Sequence, residues 1–236
     1  MTQQLAFPFP EKSKKKLLGP LSPQQERALE RVASSSSEYV IGIDEVGMGC
    51  WAGPVVVAAV VLRKDWDHDE VVDSKRITHK KRMDALCKHI LPNAELTCVL
   101  SQPNTIIDKE GIRVVVDRLT EGCALFCRRR FPRTFVVLDG DLPVEVDGSV
   151  TRVVWMPKAD VIVTAVSAAS ILAKVTRDLY MKEQAKLYPG YGWETNVGYH
   201  SKKHVWGLEN MGITPLHRRS YKPVTAYARA KPGSSW

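Results

Sequence analysis

Residues 39–62 read YVIGIDEVGMGCWAGPVVVAAVVL, with two acidic residues and a glycine-rich turn between two runs of apolar, β-forming residues. The runs predict strands at 39–44 and 55–62, and the short glycine-containing connection favours antiparallel pairing of these strands. Buried strands rarely carry carboxylates without a partner or a metal ion. Asp44 and Glu45 therefore require a chemical explanation.

The rest of the chain alternates between helical and strand patterns. Ser22 as N-cap, Pro23 as first helical residue and Gln25 three residues after the cap predict a helix start. This alternation predicts an α/β fold with a partly parallel sheet. Further helices are predicted at 78–90, ended by Pro92, at 104–130, at 165–188 and in a short segment ended by Gly212, and further strands at 95–101, at 134–138 and from 152.

The composition points to a basic protein of the cytoplasm. The 236 residues carry a formal net charge of +8, which favours a polyanionic partner such as nucleic acid. Five cysteines without a C-x-x-C pair favour a reducing compartment, and we interpret Cys123 and Cys127 as core residues rather than as a metal pair. The N-terminus lacks the pattern of a signal peptide, and the apolar runs are too short to cross a bilayer. We expect a cytoplasmic monomer with no membrane contact.

Acidic residues recur where predicted strands end. Asp44 and Glu45 end one strand and Asp139 ends another, so neighbouring strands would bring three carboxylates to one sheet edge. Asp178 lies on the long predicted helix, one turn after Lys174. Clustered carboxylates suit hard cations, here Mg²⁺ or Mn²⁺, and two such ions about 4 Å apart suit phosphodiester hydrolysis. Two alternatives stay open: a plain turn at Asp139, and a surface ion pair between Lys174 and Asp178.

Seven segments occur in a fixed order between Tyr39 and Val224: GIDEVGMGCWAGPVVVAAVVL, DSKRITHKKR, VLDGD, SAASILAKVTRD, YPGYG, GYHSKKH and HRRSYKPV. Together they resemble the ribonuclease HII family, the type 2 ribonucleases H. The resemblance implies a ribonuclease H-like fold, in which a mixed five-stranded sheet with its first three strands antiparallel is flanked by helices and followed by a C-terminal helical extension. We expect a catalytic domain at 39–224, a disordered arm with one short helix at 1–38 and a flexible tail at 225–236.

The resemblance also implies an activity. Members of this family hydrolyse the bond 5′ to a ribonucleotide in RNA/DNA hybrids or in ribonucleotide-containing duplex DNA, by a two-metal mechanism, and leave 3′-hydroxyl and 5′-phosphate ends. The metal-binding acids of the family match Asp44, Glu45, Asp139 and Asp178 in this sequence. For Asp178, the role comes from the resemblance and not from its spacing.

Substrate-binding positions carry over from the same resemblance. The turn Gly47-Met48-Gly49 matches the sensor of the ribose 2′-hydroxyl, the group that distinguishes RNA from DNA. Tyr199 matches the tyrosine that packs against the sugar following the ribonucleotide, although without the family it would equally well be a core or rim residue. Positions near the substrate phosphates match Ser74, Lys75 and Lys174.

The sequence departs from the family pattern around the glycine turn. Met48 stands where the family has Arg or Lys, and Cys50 and Trp51 stand where Pro and Leu are more usual. Met48 is compatible with the turn but removes a charge that attracts phosphate, so we expect a changed substrate preference. We interpret Trp51 as a packing residue rather than a stacking platform. We do not interpret His200, four residues before His204, as part of a zinc site, because no third soft ligand is recognisable nearby.

The N-terminal segment Gln4-Leu5-Ala6-Phe7-Pro8-Phe9 resembles the short peptide with which bacterial proteins bind the sliding clamp. An extended peptide of this kind can bury Leu5, Phe7 and Phe9 in a preformed groove, with Gln4 and Leu5 as the Gln-Leu pair of the motif. The alternative is an ordinary flexible terminus.

Two other functions stay open from the sequence. One is a non-cleaving nucleic-acid-binding protein of the same fold, which the departures around Met48 would fit. The other is an enzyme resembling ribonuclease HIII that prefers longer RNA stretches, although the 38 residues before Tyr39 are too few for the extra N-terminal domain of that family. A junction resolvase of the same fold is a weaker match, because the segments around Tyr199 and HRRSYKPV favour the ribonuclease.

Overall fold

A computed structural model describes residues 21–71, 74, 77–139 and 153–230. The predicted clamp peptide, Lys75 and the chain beyond residue 230 lie outside the described residues. The strands are β1 Tyr39–Val46, β2 Val55–Arg63, β3 Leu96–Gln102, β4 Phe135–Asp139 and β5 Val153–Met156. The helices are α1 Pro23–Ala33, α2 His79–Ala85, α3 Leu91–Asn93, α4 Asn104–Glu110, α5 Ile112–Arg130, α6 Ala159–Ile162, α7 Thr164–Leu187, α8 Trp193–Asn196, α9 Lys202–Met211 and α10 Lys222–Ala230, with a π-helical turn Leu86–Ile90 between α2 and α3.

The described strands form one mixed five-stranded sheet in the order β3-β2-β1-β4-β5. Strand β1 pairs with β4 in parallel, with Val40 opposite Phe135 and Ile43 opposite Leu138. Strand β4 pairs with β5 in parallel, and Asp139 lies opposite Met156. The predicted α/β fold with a partly parallel sheet is confirmed.

The sheet is the centre of a dense apolar core. Every residue of β2 except the terminal Arg63 is buried, as expected for a strand covered on both faces. Gly42 in the middle of β1 allows a close approach, because an added Cβ there would collide with the backbone of Ala165 and Val166 at the start of α7. A larger residue at Gly42 is therefore incompatible with the observed packing.

The first helix begins as predicted. The Ser22 hydroxyl accepts a hydrogen bond from the Gln25 backbone at 3.3 Å, and the Gln25 side chain accepts one from the Ser22 backbone at 2.8 Å. Pro23 follows the cap, so all three residues of the predicted start have their predicted roles.

Two predicted helix bounds are wrong. Pro92 does not end a helix at Ile90, because the backbone widens into the π-helical turn Leu86–Ile90, where the Leu91 N–H donates to the Leu86 carbonyl. The wider turn removes the clash of a proline ring with the preceding turn, and Pro92 then lies in the first turn of α3, where its missing N–H is tolerated. The single helix predicted at 104–130 is two helices, since Gly111, at φ 87°, separates α4 from α5.

The flexible tail predicted at 225–236 is wrong for its first residues. Helix α10 covers Lys222–Ala230. Pro223 is the second residue of this helix, a position at which proline has no hydrogen bond to lose. Pro223 therefore lies at a helix start that the sequence analysis did not predict.

The described chain separates into two compact units. The first contains the described residues of Met1–Asp44, Val57–Leu100 and Leu119–Ala173, and the second those of Glu45–Val56, Ser101–Arg118 and Lys174–Trp236. The single catalytic domain expected at 39–224 stays a prediction.

Two further features of the chain follow from the described residues. Cys123 and Cys127 are buried in α5, and the Cys123 thiol donates to the Val57 carbonyl at 3.8 Å, so their interpretation as core residues is confirmed. Burial is the main cause that raises the pKa of Cys127 to about 12. Within the described parts of the chain, no helix is both long enough and apolar enough to cross a membrane.

Candidate active site

Asp44 and Asp139 belong to the first unit and lie on neighbouring strands. Asp139 is the last residue of β4, but β1 continues for two residues beyond Asp44, to Val46, so the strand end predicted at Asp44 is wrong. In the parallel pairing of β1 with β4, the last pair is Ile43 opposite Leu138, and Asp44 and Asp139 are the next residues of the two strands. Asp44 is buried and Asp139 is half-buried. Parallel strands with this register bring both carboxylates to the same edge of the sheet, as the sequence predicts.

The Asp139 side chain is held in place from the neighbouring loop. Its Oδ1 accepts a hydrogen bond from the Ala159 backbone N–H at 2.9 Å, at the start of α6. Lys158, just before it, adopts a left-handed conformation at φ 59°, which is strained for a residue with a side chain. The Ala159 N–H thus orients this carboxylate, and the residues that would form a turn directly after the strand lie outside the described residues.

Glu45 and Asp178 belong to the second unit. Glu45 is half-buried near the end of β1, and Asp178 is buried on α7. The Lys174 Nζ donates to the Asp178 Oδ1 at 2.6 Å, and the two side chains are 18% and 5% exposed. The predicted pairing of Lys174 with Asp178 is therefore present, but as a buried charge-assisted hydrogen bond rather than a surface ion pair.

The four acids have the donor chemistry of a hard-cation site. They offer carboxylate oxygens alone, which Mg²⁺ and Mn²⁺ prefer over the nitrogen and sulfur donors that zinc selects. Asp44 and Asp139, on adjacent strands, are two such candidate donors within the first unit. Among the described residues, no group of three or more His, Cys, Asp or Glu side chains is gathered closely enough to hold a metal ion.

The glycine turn after β1 requires glycine at its first position. Gly47 has φ 102°, and an added Cβ would collide with the Arg177 guanidinium. The Cys50 N–H donates to the Gly47 carbonyl at 3.3 Å and closes the turn. Gly49 is exposed, and no described heavy atom lies within 4 Å of the position a Cβ would take there. The turn therefore has a tightly packed start and an open end.

Two buried arginines brace this turn, and sequence reasoning missed both. Arg177, the neighbour of Asp178, is fully buried. Its guanidinium donates to three backbone carbonyls at 2.8–3.0 Å, those of Ala52, Pro54 and Val197. These hydrogen bonds satisfy the buried guanidinium and fix it beneath the turn.

The second arginine, Arg218, contacts the turn directly. It is fully buried, and its Nη1 donates to the Met48 carbonyl at 2.9 Å while the Tyr221 hydroxyl donates to the same oxygen at 2.6 Å. The guanidinium also donates to the carbonyls of Gly53 and Pro54. The signal available in the sequence was the HRRSYKPV segment, but its partner in the turn lies far away along the chain.

Tyr199 lies beside two cations. Its ring centroid is 5.7 Å from the Lys174 Nζ and 5.8 Å from the Arg177 Cζ, and the residue is 39% exposed. Partial burial, followed by the neighbouring Cys50, raises the pKa of the Tyr199 hydroxyl to about 12. The phenol therefore stays protonated at working pH and presents both a hydrogen-bond donor and an accessible ring face.

Ser74 differs from the other predicted substrate contacts. It is 2% exposed, and its hydroxyl lies 2.8 Å from the Ser170 hydroxyl. Its carbonyl accepts a hydrogen bond from Arg82 at 2.6 Å. The structure thus gives Ser74 a buried, satisfied hydroxyl, while Lys75 lies outside the described residues.

Trp51 packs, as the sequence interpretation proposed. Its ring centroid lies 4.8 Å from that of His200 and 5.6 Å from that of His204. The Trp51 side chain packs on the edge of the apolar cluster of the second unit. His204 is fully buried and bonds to protein groups through both ring nitrogens. A zinc pair formed by His200 and His204 has no support.

A protein-family model described as Ribonuclease HII matches residues 41–116 and 142–224. Asp44, Glu45 and Asp178 fall within the matched residues, and Asp139 lies in the stretch between them. The similarity therefore extends over more than half of the chain.

Relatives in other organisms have the same description. The chain is 41% identical over 191 residues to Ribonuclease HII of Ligilactobacillus salivarius, covering 79% of this chain and 71% of that protein. It is 39% identical over 189 residues to Ribonuclease HII of Jannaschia sp., covering 78% of this chain and 90% of that protein.

Solved structures have the same fold. Ribonuclease H2 from Pyrococcus horikoshii matches with a TM-score of 0.67 and 22% identity, covering 81% of this chain and 98% of that one. The ribonuclease HII of a complex with PCNA from Archaeoglobus fulgidus matches with a TM-score of 0.63 and 25% identity, covering 79% of this chain and 95% of that one.

Proposed function

The chain belongs to the ribonuclease HII family, and from this premise we propose that it cleaves the phosphodiester bond on the 5′ side of a ribonucleotide in RNA/DNA hybrids or in ribonucleotide-containing duplex DNA. It is an endoribonuclease of the ribonuclease H class and depends on a divalent metal ion. The observation that carries the proposal is the placement of Asp44 and Asp139 next to the paired residues Ile43 and Leu138 of neighbouring strands, in a chain of this family.

We assign the metal to Asp44, Glu45, Asp139 and Asp178. Two bound Mg²⁺ or Mn²⁺ ions would activate the attacking water and stabilise the leaving 3′-oxygen. The Ala159 N–H fixes one oxygen of Asp139, and Lys174 holds one oxygen of Asp178, so both carboxylates are oriented before substrate arrives.

Recognition of the ribonucleotide is assigned to the second unit. The Met48 carbonyl faces Arg218 and Tyr221, so the turn would present its groups at exposed Gly49 to the ribose 2′-hydroxyl. The accessible ring of Tyr199 would pack against the next sugar, and Lys174 beside it would attract a substrate phosphate. Lys75 is a further phosphate contact by the family resemblance. Ser74 is buried and would support the site indirectly, through its contacts with Ser170 and Arg82.

One assay tests the proposed function. The full chain is incubated with Mg²⁺ or Mn²⁺ and three labelled duplexes: one with a single ribonucleotide, one continuous RNA/DNA hybrid and one of DNA alone. We expect cleavage of the first two, with a 3′-hydroxyl on the fragment upstream of the ribonucleotide. Equal cleavage of the DNA duplex would contradict the proposal, and binding without cleavage would indicate a non-cleaving protein of the same fold.

Replacement of Met48 by arginine tests the most conspicuous departure from the family. The exposed guanidinium would add one phosphate contact, so kcat/KM on the single-ribonucleotide duplex should rise by about threefold to tenfold at low salt. We expect a smaller gain on the continuous hybrid, which changes the ratio between the two substrates. Met48→Leu, of similar volume and without charge, is the control. An unchanged ratio in Met48→Arg would refute the assignment.

We also propose that the N-terminal peptide around Gln4, Leu5, Phe7 and Phe9 binds the bacterial sliding clamp. The ribonuclease HII from Archaeoglobus fulgidus was solved in complex with PCNA, which supports clamp binding as a property of a relative.

The clamp proposal predicts a loss of binding in a double variant. With Gln4 and Leu5 both replaced by alanine, the affinity for a purified bacterial clamp, measured by calorimetry or biolayer interferometry, should fall at least about tenfold because the buried anchors are lost. Cleavage of a short duplex should be unaffected. Replacement of Gln3, outside the motif, is the matched control, and equal binding by the double variant would rule out the peptide.

A further inference from the structure

Two buried histidines of the second unit form a series of hydrogen bonds, the histidine chain, that ends on the backbone of Tyr199. His204, on α9, and His217, in the loop before α10, are both fully buried, and their Nε2 atoms lie 3.0 Å apart. The His204 Nδ1 lies 2.9 Å from the Tyr199 carbonyl oxygen. At the other end, the Thr214 backbone N–H donates to the His217 Nδ1 at 2.8 Å.

The partners determine the proton on each ring. A backbone N–H can only donate, so the His217 Nδ1 accepts from Thr214 and the neutral ring carries its proton on Nε2. The indole N–H of Trp193 can only donate, and it points to the His204 Nε2 at 3.3 Å. That nitrogen is therefore an acceptor, and the His204 proton is on Nδ1, which donates to the Tyr199 carbonyl. The two rings therefore carry their protons on different nitrogens, Nδ1 in His204 and Nε2 in His217. With these tautomers, each hydrogen bond of the histidine chain has one donor and one acceptor.

The rings of His204 and His217 must both be neutral for the histidine chain to form. A second proton on His217 would point at the Thr214 N–H, and one on His204 would point at the donors from Trp193 and His217. Burial lowers the pKa of His204, and burial together with His204 lowers the pKa of His217 to about 3. Both shifts favour the neutral rings on which these hydrogen bonds depend.

The histidine chain connects two candidate substrate contacts, Tyr199 and the glycine turn. One end holds the carbonyl of Tyr199, whose ring is the proposed sugar platform. The other end is His217, next to Arg218, whose backbone N–H donates to the Trp51 carbonyl at 2.8 Å and whose guanidinium holds the Met48 carbonyl. One buried network in the second unit thus supports both the glycine turn and Tyr199.

We propose that His204 and His217 are positioning residues for ribonucleotide recognition, and that their fixed, opposite tautomers hold Tyr199 at the distance from the glycine turn that a ribose followed by a deoxyribose requires. The inference rests on the proposed function for its substrate. It assigns these histidines to the selection of the cleavage site and not to the chemical step.

The tautomers are tested without any activity measurement. In the ¹⁵N-labelled full chain, long-range ¹H–¹⁵N spectra report which ring nitrogen carries the proton. We expect His204 protonated on Nδ1 and His217 on Nε2, both unchanged between pH 6 and pH 8. The same tautomer on both rings, or titration of either ring in this range, would overturn the proposal even if the enzyme is active.

A matched pair of substitutions tests the positioning role. In His204→Asn the side-chain amide takes the place of Nδ1 and can still donate to the Tyr199 carbonyl, whereas in His204→Gln the amide lies near the place of Nε2 and loses that bond. We expect the preference for the single-ribonucleotide duplex over the continuous hybrid, measured as a ratio of kcat/KM, to fall about tenfold in His204→Gln and less than about threefold in His204→Asn. Most of the change should be in KM.

The role of Tyr199 in this effect is tested by combining substitutions. With Tyr199 replaced by alanine, His204→Gln should cause no further loss of preference, because the group that it positions is absent. An equal loss of preference in the Asn and Gln variants, or an undiminished effect in the Tyr199→Ala background, would contradict the positioning role. If the wild-type chain cleaves none of the substrates, the proposed function fails, and the histidine chain is then decided by the tautomer spectra alone.

Discussion

Replacement of Asp139 by asparagine is expected to lower kcat on the single-ribonucleotide duplex by roughly 10²–10³-fold, with little change in stability. Asparagine keeps an oxygen that can accept the Ala159 N–H, so the side chain should stay in place. It removes the negative charge, which a divalent cation needs from its ligand. Single-turnover kinetics at saturating enzyme would measure the chemical step, and thermal unfolding would verify the fold.

The matched control is Asp65→Asn in the same unit. Asp65 is an exposed acid paired with Arg63 at 3.1 Å, so its substitution removes the same charge from the protein without touching the strand ends. Its kcat should stay within about twofold of the wild type. A fall in kcat of Asp139→Asn no larger than that of the control would remove Asp139 from the catalytic residues.

Replacement of Gly42 by alanine is expected to lower the free energy of unfolding by about 3 kcal/mol or more. The added methyl group would collide with the backbone of Ala165 and Val166, which cannot move aside as a flexible side chain can. Strand β1 and helix α7 would have to separate, and α7 also carries Asp178. Urea denaturation followed by circular dichroism would measure the loss.

Gly122 provides the comparison within the same unit. It lies in helix α5, where an added Cβ would come within 3.0 Å of the Leu100 Cδ1, the end of a side chain that can rotate. Alanine at this position also gains helix propensity, so the net change should stay within about 1 kcal/mol. Similar stabilities for the two variants would show that the close approach at Gly42 is not needed for folding.

The sequence predicted the features that depend on local chemistry. The alternation of apolar runs and helical patterns was sufficient for the α/β fold, and the residues at strand ends were sufficient to nominate Asp44 and Asp139. The start of α1 was predicted because Ser22, Pro23 and Gln25 satisfy one another within a single turn. In local patterns of this kind, the residues that interact lie close together in the sequence.

The bounds that failed involve proline and glycine, whose effect depends on position within a helix. Pro92 was interpreted as a helix end, although it lies in the first turn of α3, and the helix that begins beside Pro223 was not predicted. The bracing of the glycine turn could not be predicted for a different reason. Arg177 and Arg218 reach carbonyls more than a hundred residues away along the chain, and no local pattern identifies such partners. The opposite tautomers of His204 and His217 likewise depend on three groups that local patterns do not identify, the Thr214 N–H, the Trp193 N–H and the Tyr199 carbonyl.

The position of α1 beside the end of the sheet has a consequence for solubility. Strand β5 is the last strand in the sheet order, and an uncovered edge strand can pair with another copy of the chain. Helix α1 lies against β5, and the Gln25 side chain donates to the Pro157 carbonyl just beyond it at 2.8 Å. Removing the first 38 residues to test the N-terminal peptide would therefore also remove the helix that lies against β5, and we expect it to promote aggregation. A shortened chain should begin ahead of Ser22 and keep α1 as the cover of β5.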